Sequence, residues 1–233
     1  MKFCRLALPA CLFALFIQAC TPLYMSDRPP AHFLAGKNQG NITAGFGSSG
    51  FEAKAAFSPV NHLAVEASFS GFSQDESRYN LKEAGIGGYY CFNKLYLLEL
   101  NLGYGAGAAE NRERNFFNTY LQKGSFTRMW IRPSASIILE KTELALGCRY
   151  ASVVMDYTNY DNPSVPFRNE SDVRYWEPFF VLRTGGEKIK GFVEGSYIHT
   201  GSRTDYSFSP FYFGAGFSYH PGRTSGQSTQ IKR

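Results

Sequence analysis

The chain has 233 residues, 44% of them hydrophobic, 16% aromatic and only 18% charged, with 24 Lys and Arg against 19 Asp and Glu. Charge this sparse falls below the roughly 25% of a soluble domain, and a net +5 with no basic, aromatic-interleaved cluster excludes a nucleic-acid binder. Past the first two dozen residues no apolar run approaches the roughly 18 residues of a membrane helix. A membrane chain of that kind has one remaining option, a β-barrel whose apolar residues alternate with polar ones.

Residues 1–19 have the layout of a secretory signal, with Lys2 and Arg5, an apolar core from Leu6 to Ile17, and small residues ahead of a cysteine. The stretch Phe16-Ile17-Gln18-Ala19-Cys20 resembles a bacterial lipobox. That resemblance implies cleavage after Ala19 and a diacylglyceryl group on the Cys20 sulfur, made by lipoprotein-processing machinery; plain cleavage without lipid is the alternative. Losing Lys2 and Arg5 lowers the formal charge from +5 to +3. Cys4 and Cys11 leave with the signal. Cys91 and Cys148 remain, on strand positions that point to opposite faces, so no disulfide is expected between them.

Residues 20–39 hold Pro22, Pro29 and Pro30 with little periodicity, and are expected to tether the lipid to the first strand. From Gly40 the period is two, which predicts strands over 40–48, 50–58, 62–71, 80–92, 95–106, 125–139, 142–154, 173–184, 188–199 and 208–219. Tight connections at 59–61, 93–94, 140–141 and 185–187 alternate with longer ones at 72–79, 107–124, 155–172 and 200–207. The expected fold is all-β: a transmembrane antiparallel up-and-down β-barrel of about ten strands, with eight as the alternative, over residues 40–220. Its N and C termini are periplasmic, its long loops outside, and a polar tail occupies 221–233.

Parity predicts which face meets lipid. One face of 62–71 is Leu63, Val65, Ala67 and Phe69; one face of 95–106 is Tyr96, Leu98, Leu100, Leu102 and Tyr104. Met129, Ile131, Pro133, Ala135 and Ile137, then Phe211, Phe213, Ala215, Phe217 and Tyr219, repeat the pattern. These faces carry no charge at mid-strand, where Arg or Lys against lipid would cost about 2–4 kcal/mol. The charges fall on the opposite parity, as Glu52, Lys54, Glu66, Glu99, Arg128, Arg132, Arg149, Glu177, Arg183, Lys190 and Glu194, six basic and five acidic. An enclosed lumen can pair most of them. Aromatics on the apolar parity form two belts: Phe46, Phe51, Phe69, Tyr104, Tyr150, Trp176 and Tyr197 near outer strand ends, and Phe57, Tyr90, Phe92, Tyr96 and Tyr219 near inner ones.

Three stretches, Cys20-Thr21-Pro22-Leu23-Tyr24, Gly40 to Phe46 and Ala55 to Val65, resemble the small outer-membrane β-barrel lipoproteins of Bacteroidota-type Gram-negative bacteria. The resemblance covers about the first third of the chain, and beyond it only the barrel rhythm. It implies residence in the cell outer membrane and dealings with its lipid and with barrel-assembly machinery, and it brings no agreed activity.

Ten strands enclose little space, since eight give an interior that side chains just fill and wide aqueous channels need sixteen or more. A structural or surface-interaction barrel is therefore the leading expectation, ahead of a narrow ion or small-solute channel. A rim hydrolase would use His199 with Ser202, Asp205 and Asp156 nearby, and a soluble lipid-tethered barrel is a further alternative. The resemblance to omptin proteases is limited to strand count and that loose set. No residue set is assigned as catalytic, and nothing calls for a metal or a cofactor. The Gly103–Gly107 run lacks the strand-to-helix context of a nucleotide loop and is expected to make room for inward rings such as Trp130 or Tyr89. Loops 107–124 and 155–172 are the expected contact points for an envelope or extracellular ligand.

Overall fold

A computed structural model describes Tyr24, Asp27 and residues 31–74, 77–114, 119–160, 167–201 and 209–221. The signal segment, Cys20, Ser202, Asp205 and the tail beyond Pro221 lie outside the described residues. The strands are β1 (Gly40–Gly47), β2 (Gly50–Val60), β3 (Leu63–Gln74), β4 (Ser77–Phe92), β5 (Tyr96–Arg114) and β6 (Thr119–Ile138). They continue as β7 (Thr142–Asn159), β8 (Phe167–Gly185), β9 (Ile189–Tyr197), β10 (His199–Thr200) and β11 (Phe211–Tyr219). Successive strands pair antiparallel, and β10 continues β9 past Ile198 along β8. The ring closes where β11 pairs with both β9 and β1, with Ile42 opposite Tyr219. The result is the expected closed antiparallel barrel of ten walls.

Both ends of the barrel wall, Gly40 and Tyr219, lie at one end, joined there by the tight turns after β2, β4, β6 and β8; this is called the turn end. Asn93 and Lys94 both adopt left-handed backbone, at φ 51° and 56°. Two such residues in succession give a tight hairpin whose twist matches its strands. The opposite, loop end carries the short β1–β2 turn and the longer connections.

The expected outward face is outward. Leu98, Leu100 and Leu102 on β5, Met129 and Ile131 on β6, and Phe213 and Phe217 on β11 are all exposed on the outer surface. Trp176 and Tyr104 mark the loop-end edge of this band, and Phe92, Tyr96 and Tyr219 its turn-end edge. From Tyr96 to Tyr104 the apolar stripe runs nine residues, which at a strand tilt near 40° is a band roughly 20 Å high.

Past that band the pattern keeps its period and reverses its sign. Val153, Met155 and Tyr157 on β7, Val173 and Tyr175 on β8, and Tyr79 and Leu81 on β4 point inward and are buried. Of the outward positions among them Asp156, Asp172, Arg174, Arg78 and Lys82 are charged, and Val154 is an apolar exception. Asp172 accepts from Ser152 at 3.1 Å and lies 3.6 Å from Arg174, while Lys123 lies 3.1 Å from Glu110. Outside the apolar band the wall is built like a water-soluble barrel, apolar within and charged without.

This second storey is one-sided. β5 to β8 continue nine or ten residues beyond Tyr104, Met129, Tyr150 and Trp176, roughly 30 Å of strand. β1 stops one residue past Phe46, and β2 begins one residue before Phe51. Among the described residues the barrel therefore has a high collar on the β5–β8 side and a low rim on the β9–β11–β1–β2 side. Much of what was expected as loop at 107–124 and 155–172 is strand in this collar, β5 and β6 over 107–114 and 119–124, β7 and β8 over 155–159 and 167–172.

Candidate functional site: an occupied lumen

All eleven charges expected in the lumen point inward. Arg128, Arg132, Arg149 and Glu177 are fully buried, and Glu52, Glu66, Glu99, Arg183, Lys190 and Glu194 nearly so. The Lys54 side chain is 8% exposed. Strand parity alone placed them, because in a barrel wall every second residue must face the interior.

Sequence reasoning missed a further set. Glu83 sits on the inward parity of β4 and accepts from Arg128 Nε at 2.8 Å and from Trp130 Nε1 at 2.9 Å. Glu143, inward on β7, lies 3.7 Å from Lys190 Nζ and 4.0 Å from both Arg183 and His220. Parity could have found both, since each lies on a predicted strand at an inward position. Two other members could not be found that way, because they are not on the wall.

Those members are Asp27 and His32, in the segment ahead of β1 expected as a tether. The residues ahead of β1 run inside the barrel: Tyr24, Asp27, Ala31, His32, Phe33 and Leu34 are all buried. Asp27 takes Arg128 Nη2 at 2.6 Å and Arg149 Nη1 at 3.0 Å, and its backbone carbonyl accepts from Arg149 Nη2 at 3.2 Å. Arg149 donates in turn to Glu177 at 2.7 Å, and Ser196 donates to the same carboxylate at 2.6 Å. His32 Nε2 lies 2.5 Å from Glu66 and its Nδ1 3.4 Å from Glu99. Arg132 and Lys54 approach the same Glu66 carboxylate at 3.1 and 3.4 Å. Buried charges persist only when paired and hydrogen-bonded, so the wall and the threaded segment complete one another's ion pairs.

Apolar clusters lie on either side of these ionic nodes. Toward the loop end Tyr24 packs edge-on against Phe126 at 5.3 Å, among Tyr79, Leu81, Val153, Met155 and Tyr175. Toward the turn end Phe33 and Leu34 pack with Ala64, Tyr89, Leu97, Phe179 and Val181. The Arg183 guanidinium stacks 4.4 Å over the Phe33 ring and donates to the Ala31 carbonyl at 2.8 Å. Phe33 holds a left-handed φ of 53°, a conformation that persists in a bulky residue only where its surroundings fix it. The segment thus threads an apolar layer, an ionic layer and a second apolar layer.

The glycines of β5 behave as room-makers. A side chain at Gly103 would meet the Trp130 ring, one at Gly105 the Glu83 side chain, and one at Gly107 the Phe126 ring. The other expected neighbour, Tyr89, bonds Ser58 through its hydroxyl at 2.7 Å instead.

The rim set expected around His199 is not assembled among the described residues. His199 is exposed and pairs across the ladder with Trp176, whereas Asp156 pairs with Glu170 and bonds Arg168. Glu170 and Trp176 lie six positions apart along β8, roughly 20 Å. Among the described residues no group of three or more His, Cys, Asp or Glu is placed to hold a metal. Cys91 packs against the turn-end cluster, Cys148 lies on the outward parity, and neither forms a disulfide.

No protein-family model matches the chain, and no curated protein sequence is similar to it. Among solved structures, the outer membrane protease OmpT from Escherichia coli aligns over 80% of this chain and 98% of its own, at 14% identity and a TM-score of 0.53. The translocator domain of the autotransporter NalP from Neisseria meningitidis aligns over 78% of this chain and 85% of its own, at 9% identity and a TM-score of 0.45. The OmpT likeness shows the fold alone, that of an outer-membrane-type β-barrel.

Proposed function

We propose that the protein is an outer-membrane lipoprotein barrel of a Gram-negative envelope, closed to solutes by its own N-terminal segment and working through its surface rather than its lumen. The observation that carries this is the threaded segment itself, whose Tyr24, Asp27, His32 and Phe33 complete the packing and ion pairing of the interior. A pore that must pass ions has no use for a stopper held at both of its ionic nodes. The uncharged outward band between two aromatic belts supports a membrane seat, because rings of that kind settle at the headgroups. Short turns at one end and tall strands at the other support a periplasmic turn end and an outer loop end. What the collar then presents outside is a polar, mixed-charge wall, suited to contacts with other envelope components or with ligands arriving from outside.

A gel comparing unheated and boiled samples of the salt-washed outer-membrane fraction tests the seat. A compact unheated band that shifts on boiling is expected; no shift, with release of a soluble domain on proteolysis ahead of Gly40, would overturn it. Planar-bilayer recordings test the closure. The intact chain should be silent over many insertions, and steady unitary currents would restore the narrow-channel reading.

A further inference from the structure

The threaded segment has a direction. Its last residues reach β1 at the turn end, where Gly40 N–H donates to the Pro221 carbonyl at 3.2 Å. Phe33 and Leu34 sit in the turn-end cluster, Asp27 at the ionic layer, and Tyr24 in the loop-end cluster. The Tyr24 carbonyl accepts from Ser209 N–H at 3.3 Å, two residues before β11 begins at its loop end. Tyr24 also bonds the hydroxyl of Tyr175, the neighbour of Trp176 in the loop-end aromatic belt. Read from Tyr24 to Gly40, the chain therefore descends the lumen from the level of the outer belt to the turn end. Both ends of the barrel wall lie together at the turn end, and the segment ahead of β1 runs away from it.

Chain length then decides where Cys20 can be. Four residues separate it from Tyr24, a reach of at most about 14 Å. The turn end lies a full β11 away, nine residues, or roughly 20 Å along the axis at the usual tilt. The path between is filled by Asp27, His32, Phe33 and Leu34. The outer surface is close: among the described residues, β1 and β2 extend one residue past Phe46 and Phe51 of the aromatic belt on the low-rim side, and about 14 Å suffices to cross a single wall roughly 10 Å thick. The outer wall on that side carries a groove of about 720 Å³, running from Phe46 on β1 past Ala44, Ala215, Phe217 and Val193 to Leu182 near the turn end of β8. Small side chains at Ala44 and Ala215 between Phe46 and Phe217 make a furrow of the right chemistry for an acyl chain.

We propose that the mature N-terminus leaves the barrel through its outer mouth, and that the diacylglyceryl group on Cys20 is seated in the outer leaflet against the β8–β9–β11–β1 wall. The proposal rests on the lipoprotein reading above. The lipid bond itself is an ordinary displacement: Sγ bonds the glyceryl carbon of a glycerophospholipid as its C–O(phosphate) bond breaks, and the thiol proton leaves with the phosphate headgroup. In this arrangement the lipid and the barrel anchor the same chain from opposite ends of the threaded segment, with the ionic nodes between them.

Two measurements on cells making the full chain separate the lipid from its address. Metabolic labelling with an alkyne palmitate should mark the wild type and lose the mark in Cys20→Ser. In a Cys91→Ser/Cys148→Ser background, Thr21→Cys should react with a membrane-impermeant maleimide on intact cells as fully as Arg174→Cys does on the collar. Lys188→Cys, in a turn-end loop, should react only after the outer membrane is permeabilised. Palmitate on Cys20 with Thr21→Cys protected in intact cells overturns the outward exit alone. No palmitate on the wild type overturns the lipoprotein reading and the seat of the lipid with it. A heat-modifiable band from each variant checks that the barrel is folded.

Discussion

The hydroxyls of Tyr24 and Tyr175 meet at 2.8 Å inside the barrel although 151 positions separate them in sequence. Arg128 Nη1 donates to the first at 2.9 Å and to the second at 3.3 Å, so one guanidinium joins the threaded segment to the wall. Replacing Tyr24 by Phe removes two of this triangle's three buried bonds, at about 1–3 kcal/mol because a charged donor loses its acceptor. With Tyr175→Phe the two losses should be non-additive, coupled by roughly 0.5–3 kcal/mol as contacting residues are. Urea unfolding in detergent micelles, run as a double-mutant cycle, measures the coupling; strict additivity would mean the two rings act apart.

Asp27 stands between two arginines. Asp27→Ala leaves Arg128 and Arg149 facing each other, and breaking a buried pair costs about 3–5 kcal/mol. That figure is a ceiling here, because the segment can lift out and let water reach both cations. The same variant should therefore show intermittent currents in planar bilayers where the wild type shows none. A destabilised Asp27→Ala barrel that stays silent would mean the stopper holds without its central ion pair.

The reversal of sign along β7 and β8 gives a sharp positional test. Leu100→Arg places a charge in the middle of the apolar band and should cost about 2–4 kcal/mol. Val154→Arg adds the same group at an outward site opposite Asp172, in the charged storey, and should change stability by less than about 0.5 kcal/mol. Unfolding free energies in lipid vesicles distinguish them. Equal costs at both sites would mean that the apolar band continues into the collar.

Asp156, in the collar beyond the apolar band, accepts two hydrogen bonds from Arg168, and this guanidinium holds its carboxyl below the usual carboxylate range. A depressed folded value adds stability above the usual carboxylate range and loses it as pH falls through the folded value. The pair is open to water, so the contribution to stability is small. Carboxyl NMR titration should put Asp156 below an ordinary aspartate and return it to the ordinary range in Arg168→Gln. An unmoved titration would show that the pair is not maintained in solution.

What could be read from the sequence follows from where a rule of period two applies with constant sign. Leu98, Leu100 and Leu102 against Glu99 and Asn101 fix both a strand and its lipid face, and with it the direction of Glu99. In Val153, Met155 and Tyr157 the alternation continues with the apolar side turned inward, so a reading tuned to apolar-outward strands took the collar for loop. Asp27 and His32 obey no period at all. Their places are set by Arg128, Arg149, Glu66 and Glu99, which only the closed ring brings together, and no local signal near Pro22 or Pro30 encodes them.

The seam between β1 and β11, where Ile42 meets Tyr219, has a consequence for the order of assembly. It joins the two ends of the wall and is the pairing of greatest sequence separation, so loop-closure entropy makes it the slowest to form. Tyr24, Asp27 and residues 31–34 precede β1 on the same chain and lie inside the ring that this seam completes. An open, curled sheet can receive them sideways; a finished ring would require the chain to be pulled lengthwise through a packed core. The β1–β11 seam must therefore stay open until the segment is laid in.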